Sequence, residues 1–202
     1  MNQIATLYPR LWLWLLLPWL LVACATAPPS RTDDACVMLD EKSGLVRNWQ
    51  RDLRRAEREF DIPQSIILAT IWQESRFEAK ARPPRRRLLG FIPWKRQSSA
   101  YGYAQALDGT WDWYLESTGG SRLQRRSRFK DAAHFVAWYH TQSHRINGIA
   151  RNDAYNLYLA YHEGHGGYRR GSYRSKPWLM TVARRVQNQA NRYEQQLARC
   201  RP

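Results

Sequence analysis

The stretch ILATIWQESRF, residues 67–77, places a carboxyl group directly after an apolar run. At helical spacing Ile67, Ile71 and Glu74 share one face, because offsets of four and three residues bring side chains onto the same stripe. A face that begins with two isoleucines normally points into the protein, where ionising a carboxyl group is costly. A glutamate with a raised pKa near the end of a buried helix is one interpretation of this position. Periodicity by itself favours the other, a helix-end glutamate that faces solvent or pairs with an arginine, and only the motif blocks described below reverse that preference.

The segments around this stretch also repeat their apolar residues at helical spacing. Trp49, Leu53, Ala56 and Phe60 predict a helix that ends near Asp61. Further helices are predicted from Pro63 through the quoted stretch, from Asp108 or Thr110 to Gly119, from Asp131, from Asp153 to Tyr161, and over Val182, Val186, Ala190, Tyr193 and Leu197. We therefore predict a mainly α protein.

Two segments interrupt the helical pattern. Three glycines at 164, 166 and 167 are expected to end the helix that precedes them. Residues 82–99, which combine arginine, proline and aromatic residues, are predicted to form a loop. No segment shows the alternation that is typical of a strand, and no internal repeat is present.

The first 23 residues differ from the rest of the chain. Arg10 is their only charge, and residues 11–23 are almost entirely apolar, which predicts an export signal peptide over 1–23. The end of this segment, Leu21 to Cys24, resembles a bacterial lipobox, which implies that Cys24 is lipidated and that 24–44 form a lipidated N-terminus and tether before a domain at 45–202. An ordinary signal peptide or an anchor helix is the alternative. By the sorting rule for such lipoproteins, Ala25 implies an outer-membrane protein that faces the periplasm.

The remaining cysteines are Cys36 and Cys200, near the two ends of the predicted mature chain. In an oxidising compartment such a pair predicts a disulfide bond, and two unpaired thiols are the alternative.

The chain is strongly basic. With 32 Lys and Arg against 17 Asp and Glu, its net charge is +15, or +14 after Arg10 leaves with the signal peptide. This charge predicts an anionic partner. An exported lipoprotein rarely meets nucleic acid, so we predict that nucleic acid is not the partner. The carboxylates of cell-wall peptides and anionic lipid head groups both fit the charge.

Three short blocks follow one another along the chain: Glu74-Ser75, then Tyr101 to Gln105, then Ala160 to Gly164. They resemble the E-S, G-L-M-Q and A-Y-N-x-G motifs of the SLT-type lytic transglycosylases, over roughly residues 45–195. The resemblance implies a single goose-type, lysozyme-like helical domain that acts on peptidoglycan without a cofactor.

The resemblance also implies a reaction at one carboxyl group, which corresponds here to Glu74. In this family the glutamate protonates the oxygen between N-acetylmuramic acid and N-acetylglucosamine. It then helps the sugar's own C6 hydroxyl to close a 1,6-anhydro ring, so that no water is consumed, and the acetamido group is thought to assist. An apolar environment suits this role, because the acid must hold its proton near neutral pH.

Several neighbours of Glu74 in the motifs are predicted to bind substrate. Ser75 is expected to hydrogen-bond near the reacting sugar, and Gly102 to let the backbone approach the substrate. Tyr103 belongs to the same block, and Gln105 is expected to bond to the sugar or to the backbone of the site. Tyr161 corresponds to the tyrosine that hydrogen-bonds at the catalytic centre. The alternatives are a helix-terminal serine, a turn glycine, a surface glutamine and a core tyrosine.

The third block departs from the family motif, because His162 replaces the usual Asn and Glu163 follows it. We place both among the substrate-binding residues. His162 either takes over the structural role of the Asn, or its imidazole changes the chemistry of the site. Glu163 opposite Glu74 would instead allow hydrolysis by a positioned water, as in a muramidase. The altered block also leaves a peptidoglycan-binding lipoprotein without catalysis as a hypothesis from another class.

The spacing between the first two blocks is the second departure. Glu74 and Gln105 stand 31 positions apart (105 − 74), more than in the family, and the excess falls within 82–99. This segment is predicted to be a lid, an added glycan contact, a membrane-facing surface or a mere insertion.

Histidines 140 and 144, and 162 and 165, have the spacing of metal ligands on a helix. Neither pair has the cysteines or carboxylates that complete a zinc site, so we predict no metal.

Overall fold

The structure is a computed structural model that describes residues 27–45, 47–88 and 92–200, without the side chains of 86–88 and 92–95. The predicted signal peptide and Cys24 lie outside the described residues. Within the described part of the chain, no helix combines the length and the apolar character needed to span a bilayer.

The described residues form seven α-helices, one short 3-10 helix and two short strands. In chain order these are α1 (Ala35–Glu41), α2 (Trp49–Phe60), α3 (Gln64–Ser75), β1 (Arg85–Leu88), β2 (Ile92–Arg96), α4 (Asp108–Thr118), α5 (Phe129–Asn147), α6 (Ala154–Arg169), the 3-10 helix (Ser172–Ser175) and α7 (Pro177–Arg199).

The helix α3 lies at the centre of the domain. It packs against α7 on one side and against α5 on another, while α2 lies along α5 and α6 contacts both α5 and α7. Every residue from Ser65 to Ile71 is buried, so apolar residues surround the helix instead of forming the single stripe that the sequence predicts. A helix that is hydrophobic all round belongs in the interior.

The ends of the helices follow local chemistry. The side chain of Asn48 accepts a hydrogen bond from Arg51 N (2.8 Å) at the start of α2. The helix ends at Asp61, as the sequence predicts, and the backbone there is left-handed. Neither Asp108 nor Thr110 caps α4, which Leu107 precedes. Likewise α5 begins at Phe129, before Asp131, whose carboxylate accepts a hydrogen bond from the Arg125 amide in the preceding turn.

The helix α6 is longer than the sequence predicts. It passes Tyr161 and runs to Arg169, with one non-helical residue, Gly164 (φ 74°, ψ 158°), that kinks it. The other two glycines of this segment lie within the helix. The prediction that the glycines end the helix is confirmed at Gly164, whose non-helical backbone separates two helical segments, and is wrong for Gly166 and Gly167, which lie within the second segment.

The prediction of a loop over 82–99 is also wrong in part. The strands β1 and β2 pair antiparallel, with Arg85 opposite Arg96 and Leu88 opposite Ile92. Neither strand, RRRL nor IPWKR, shows period-two alternation, so no strand signal was present in either one alone.

The segment predicted as a tether contains the helix α1. The carboxylate of Asp34 accepts hydrogen bonds from the amides of Cys36 (3.0 Å) and Val37 (3.2 Å) and so caps this helix. One side of α1 packs against α7. A disulfide between Cys36 and Cys200 joins the two helices, with 5.7 Å between their Cα atoms.

Candidate active site

The side chain of Glu74 projects from the last turn of α3. The helix ends because Arg76 (φ 52°) and Phe77 (φ 63°) are both left-handed. Phe77 is completely buried and packs against Trp49 with their rings tilted by 35° and their centroids 5.6 Å apart. Such backbone conformations are uncommon for side chains of this size, and the buried Phe77 holds the turn in place. The turn therefore fixes the carboxyl group of Glu74 at the end of the helix.

The environment of Glu74 favours its neutral form. Burial raises the pKa of its carboxyl group from 4.5 to about 7, and a hydrogen bond from Tyr158 lowers it by a smaller amount. The Tyr158 hydroxyl donates this bond to Oε1 over 2.9 Å. The side chain as a whole remains partly accessible. Since the carbonyls at a helix C-terminus also disfavour a nearby negative charge, the position suits a proton donor.

Ser75 connects the first block to the second. Its buried hydroxyl donates to the carbonyl oxygen of Tyr103 over 2.8 Å, with Ile71 O at 3.3 Å. The sequence predicts a contact of Ser75 with the reacting sugar. The structure instead uses the only proton of this hydroxyl within the protein, so Ser75 positions the second block beside Glu74.

Gly102 is required for a reason other than the predicted one. Its φ is 78°, and a Cβ atom there would lie 2.2 Å from the carbonyl oxygen of Arg126. The sequence predicts that this glycine lets backbone approach the substrate, but the group that approaches is the backbone of Arg126. The glycine therefore allows the second block to pack against the segment before α5.

Gln105 bonds to the backbone, which is the second of the two predicted possibilities. Its Nε2 donates to the carbonyl oxygens of Ala81 (2.9 Å) and Gly102 (2.8 Å). Since the side chain spans the two ends of the segment that contains β1 and β2, it closes the base of that segment.

Tyr103 lies in the core and not on a substrate-facing surface. Only 4 % of its surface is exposed, and its ring meets the edges of Trp49 and Phe129 at centroid distances of 5.8 and 5.7 Å. Its side chain therefore cannot serve as the predicted substrate contact, although its carbonyl oxygen accepts the bond from Ser75.

Two tyrosines of α6 lie at the site, and sequence analysis identified one of them. Tyr161 donates from its hydroxyl to the carbonyl oxygen of Ala104 over 2.6 Å and thereby ties the third block to the second. Burial and the nearby Glu74 both raise its pKa. The direct partner of Glu74 is Tyr158, which the motif does not include. Its position three residues before Tyr161, on the same side of a helix, was the available signal.

The side chains of His162 and Glu163 contact the start of α7 and the segment just before it. His162 is exposed, and its ring meets Trp178 edge-on at 5.3 Å. The Glu163 carboxylate accepts hydrogen bonds from Lys176 (2.7 Å), His162 (3.1 Å) and the Ser172 hydroxyl. Burial alone would raise its pKa, but these three bonds outweigh burial and lower the pKa to about 2. Glu163 therefore fastens the kinked end of α6 to the start of α7.

The histidines considered as metal ligands have other partners. His140 is buried, its Nε2 lies 2.9 Å from the Thr70 hydroxyl, and burial lowers its pKa to about 3. His144 bonds to the carbonyl oxygen of Ile149, and His165 to the Ser143 hydroxyl. Within the described ranges, no three potential ligands cluster in a way that could hold a metal ion.

Comparison with known proteins gives one family. A family model described as "Transglycosylase SLT domain" matches residues 12–200. No curated protein matches the chain.

Proposed function

This chain belongs to the SLT-type lytic transglycosylases and folds as a single lysozyme-like SLT domain, and from this membership we propose that it cleaves peptidoglycan glycan strands between N-acetylmuramic acid and N-acetylglucosamine. The products carry 1,6-anhydro-muramic ends, and Glu74 is the only acid and base. The observation that carries the proposal is the carboxyl group of Glu74, whose pKa of about 7 leaves it largely protonated below neutral pH.

The proposed reaction needs one proton carrier. The protonated carboxyl group gives its proton to the bridging oxygen as the bond from that oxygen to C1 of the muramic sugar breaks. The resulting carboxylate takes the proton of the C6 hydroxyl while O6 forms its bond to C1. The acetamido group of the same sugar would stabilise the positive charge at C1 in between. Water is neither added nor released, and Glu74 ends the cycle protonated again.

The contacts of Glu74 support this two-way proton transfer. Tyr158 binds Oε1, while no hydrogen bond from another described residue reaches Oε2, so one oxygen orients the group and the other can face substrate. A carboxyl group with a pKa of about 7 can both donate and accept a proton near neutral pH, which suits a group that must act as acid and as base.

The muramidase alternative requires a second carboxylate to position water. Glu163 is the candidate, but three donors occupy its carboxylate, and its low pKa makes it a weak base. Burial and Tyr158 account for the pKa shift of Glu74, with no contribution from Glu163 or another carboxylate of the described residues. These observations favour the intramolecular reaction. The non-catalytic alternative lacks support for a different reason, since Glu74 keeps the environment of a general acid.

The decisive experiment is digestion of purified peptidoglycan sacculi, followed by mass spectrometry of the released sugar ends. We expect anhydro-muramic ends. A Glu74→Gln variant should lose activity by about 10³-fold, because it removes the acid and base together. Glu116→Gln, at an exposed position of α4, makes the same chemical change away from the site and should retain activity.

The other outcomes identify the alternatives. Reducing muramic ends would establish a hydrolase. Sacculus binding without released fragments would establish a binding protein. Full activity of Glu74→Gln would show that Glu74 is not the catalytic residue of a lytic transglycosylase or of a muramidase.

We also propose that the protein is a lipoprotein anchored through Cys24 in the outer membrane and facing the periplasm. The disulfide between Cys36 and Cys200 supports an oxidising compartment. Metabolic labelling with palmitate tests the anchor, with Cys24→Ser as the control that should abolish the label. Labelling that persists in this control would contradict the proposal.

A further inference from the structure

A cavity of about 390 Å³ lies beyond the kink of α6, away from Glu74. Six residues from α5, the end of α6 and the 3-10 helix line most of it: Asn147, Tyr168, Arg169, Arg170, Tyr173 and Arg174. We call it the arginine cavity.

The three arginines of this cavity have no counter-charge among the residues that the structure describes. The guanidinium groups of Arg169, Arg170 and Arg174 make no ion pair or hydrogen bond with any described residue, although the backbone amides of Arg170 and Arg174 bond within the chain. The nearby Lys176 is neutralised by Glu163. Three unpaired guanidinium groups around one concavity attract an oxyanion, and their planar forks suit a carboxylate or a phosphate.

The local backbone holds these arginines together. Gly171 is left-handed (φ 72°) and turns the chain between α6 and the 3-10 helix, so that Arg170 and Arg174 lie on the same cavity. The rings of Tyr168 and Tyr173 stack at 5.3 Å and form an aromatic wall. The site is therefore a shaped concavity and not only a charged surface.

The arginine cavity is connected to the proposed active site through α6, the helix that carries Tyr158 and Tyr161. Arg170 follows Tyr161 by nine positions, which corresponds to about 14 Å along a straight helix. The kink at Gly164 shortens this distance. The side chain of Asn147 also donates to the carbonyl oxygen of His165, whose ring stacks on Tyr139 at 4.4 Å. A peptide of about four extended residues spans roughly 13 Å, which matches the helical distance from Tyr161, at the site, to Arg170 in the cavity.

From this geometry we infer that the arginine cavity binds a free carboxylate of the peptide attached to the glycan strand. The inference rests on the proposed function, which brings such a peptide to within reach. A membrane phosphate also binds guanidinium groups, but it has no covalent link to the substrate and would have to reach this one concavity independently of it.

The test uses the full chain with Glu74→Gln, so that substrate is bound without being consumed. Its affinity is measured by calorimetry for glycan fragments that carry peptides and for the same fragments after an amidase has removed them. The test variant adds Arg170→Gln and Arg174→Gln. The matched control adds Arg122→Gln and Arg184→Gln, which remove two exposed arginines outside the arginine cavity.

We expect the test variant to lose about tenfold of its preference for peptide-bearing over peptide-free fragments, since two charge-assisted contacts disappear. The control should keep the preference. An unchanged preference, or equal weakening for both fragments, would overturn the inference. So would loss of binding to phosphatidylglycerol vesicles with the preference intact, which would assign the arginines to lipid phosphate. Thermal unfolding of each variant confirms that it is folded.

This result can be separated from failure of the proposed function. Release of anhydro ends from peptide-free glycan by the chain with Glu74 intact depends on the reaction alone. The difference in affinity between peptide-bearing and peptide-free fragments depends on the arginine cavity alone.

Discussion

Glu74 and Glu163 are both withdrawn from solvent, yet their pKa values move in opposite directions. Burial raises the first to about 7, with only one hydrogen bond from Tyr158 to oppose it. Around the second, burial acts in the same direction, but Lys176, Ser172 and His162 all donate to the carboxylate and lower its pKa to about 2. Burial alone therefore does not determine the charge of a carboxyl group. The number and charge of the donors around it determine whether it can carry a proton or instead fastens the structure.

Removing the negative charge of Glu163 should have the largest effect on stability. Its side chain is only 3 % exposed and pairs with Lys176. We expect Glu163→Gln to lower the free energy of unfolding by about 2–3 kcal/mol at pH 7, because the buried side chain loses its charge-assisted hydrogen bonds from Lys176, Ser172 and His162. Urea denaturation measures this value.

The pH dependence of that effect follows from the lowered pKa. A carboxylate with a folded pKa of about 2 contributes stability above its unfolded value of 4.5, and the contribution disappears as the pH falls towards 2. The difference between wild type and Glu163→Gln should therefore narrow between pH 5 and pH 3. A difference that stays constant over this range would show that the charge is not responsible.

Replacing the carboxyl group of Glu74 by an amide should raise the free energy of unfolding, and by less than the Glu163→Gln change lowers it. Its raised pKa means that the folded state holds the proton more tightly than the unfolded state, so the protein loses stability as the pH rises from 4.5 through about 7. The full difference in pKa corresponds to about 3 kcal/mol, and partial exposure reduces it. We expect Glu74→Gln to unfold with about 1–2 kcal/mol more free energy than wild type at pH 8.

The control for this prediction is the same comparison at pH 4, where Glu74 is protonated in both states. There the two proteins should be equally stable within error. A variant that is no more stable than wild type at pH 8 would indicate that the carboxylate is already well solvated.

Removing the hydroxyl of Tyr158 should have the smallest effect of the three and should act on Glu74 alone. The bond from Tyr158 lowers the pKa of Glu74, so Tyr158→Phe should raise that pKa. A bond of about 1 kcal/mol corresponds to less than one pH unit. The alkaline limb of the pH–rate profile for release of anhydro ends should move to higher pH by that amount.

Tyr155→Phe is the matched control, because it removes a tyrosine hydroxyl from the same helix without a bond to Glu74. It should leave the alkaline limb in place. A shift of equal size in both variants would mean that Tyr158 does not set the pKa of Glu74.

The helices could be predicted from the sequence where the signal is local. The apolar spacing and Asp61 located α2, and Pro63 together with the apolar run located α3. The helical segment after Gly164 and the strands β1 and β2 could not be predicted: the first contains two further glycines, and each strand forms only by pairing with the other.

The same division applies to the site. The position of Glu74 after an apolar run already contained the physical cause of its raised pKa. The roles of Ser75, Gly102 and Tyr103 were not readable, because each depends on what lies opposite it: the hydroxyl of Ser75 meets a carbonyl 28 positions away, and Gly102 faces the backbone of Arg126.

The sequence by itself determined that this protein is mainly helical, strongly basic and built around a glutamate beside buried isoleucines. These properties depend on composition and on spacings of three and four residues. Only the tertiary structure decided which carboxyl group keeps a proton, because the donors that make the difference come from elsewhere in the chain. Tyr158 stands 84 positions from Glu74, and Lys176 reaches Glu163 across the turn between two helices.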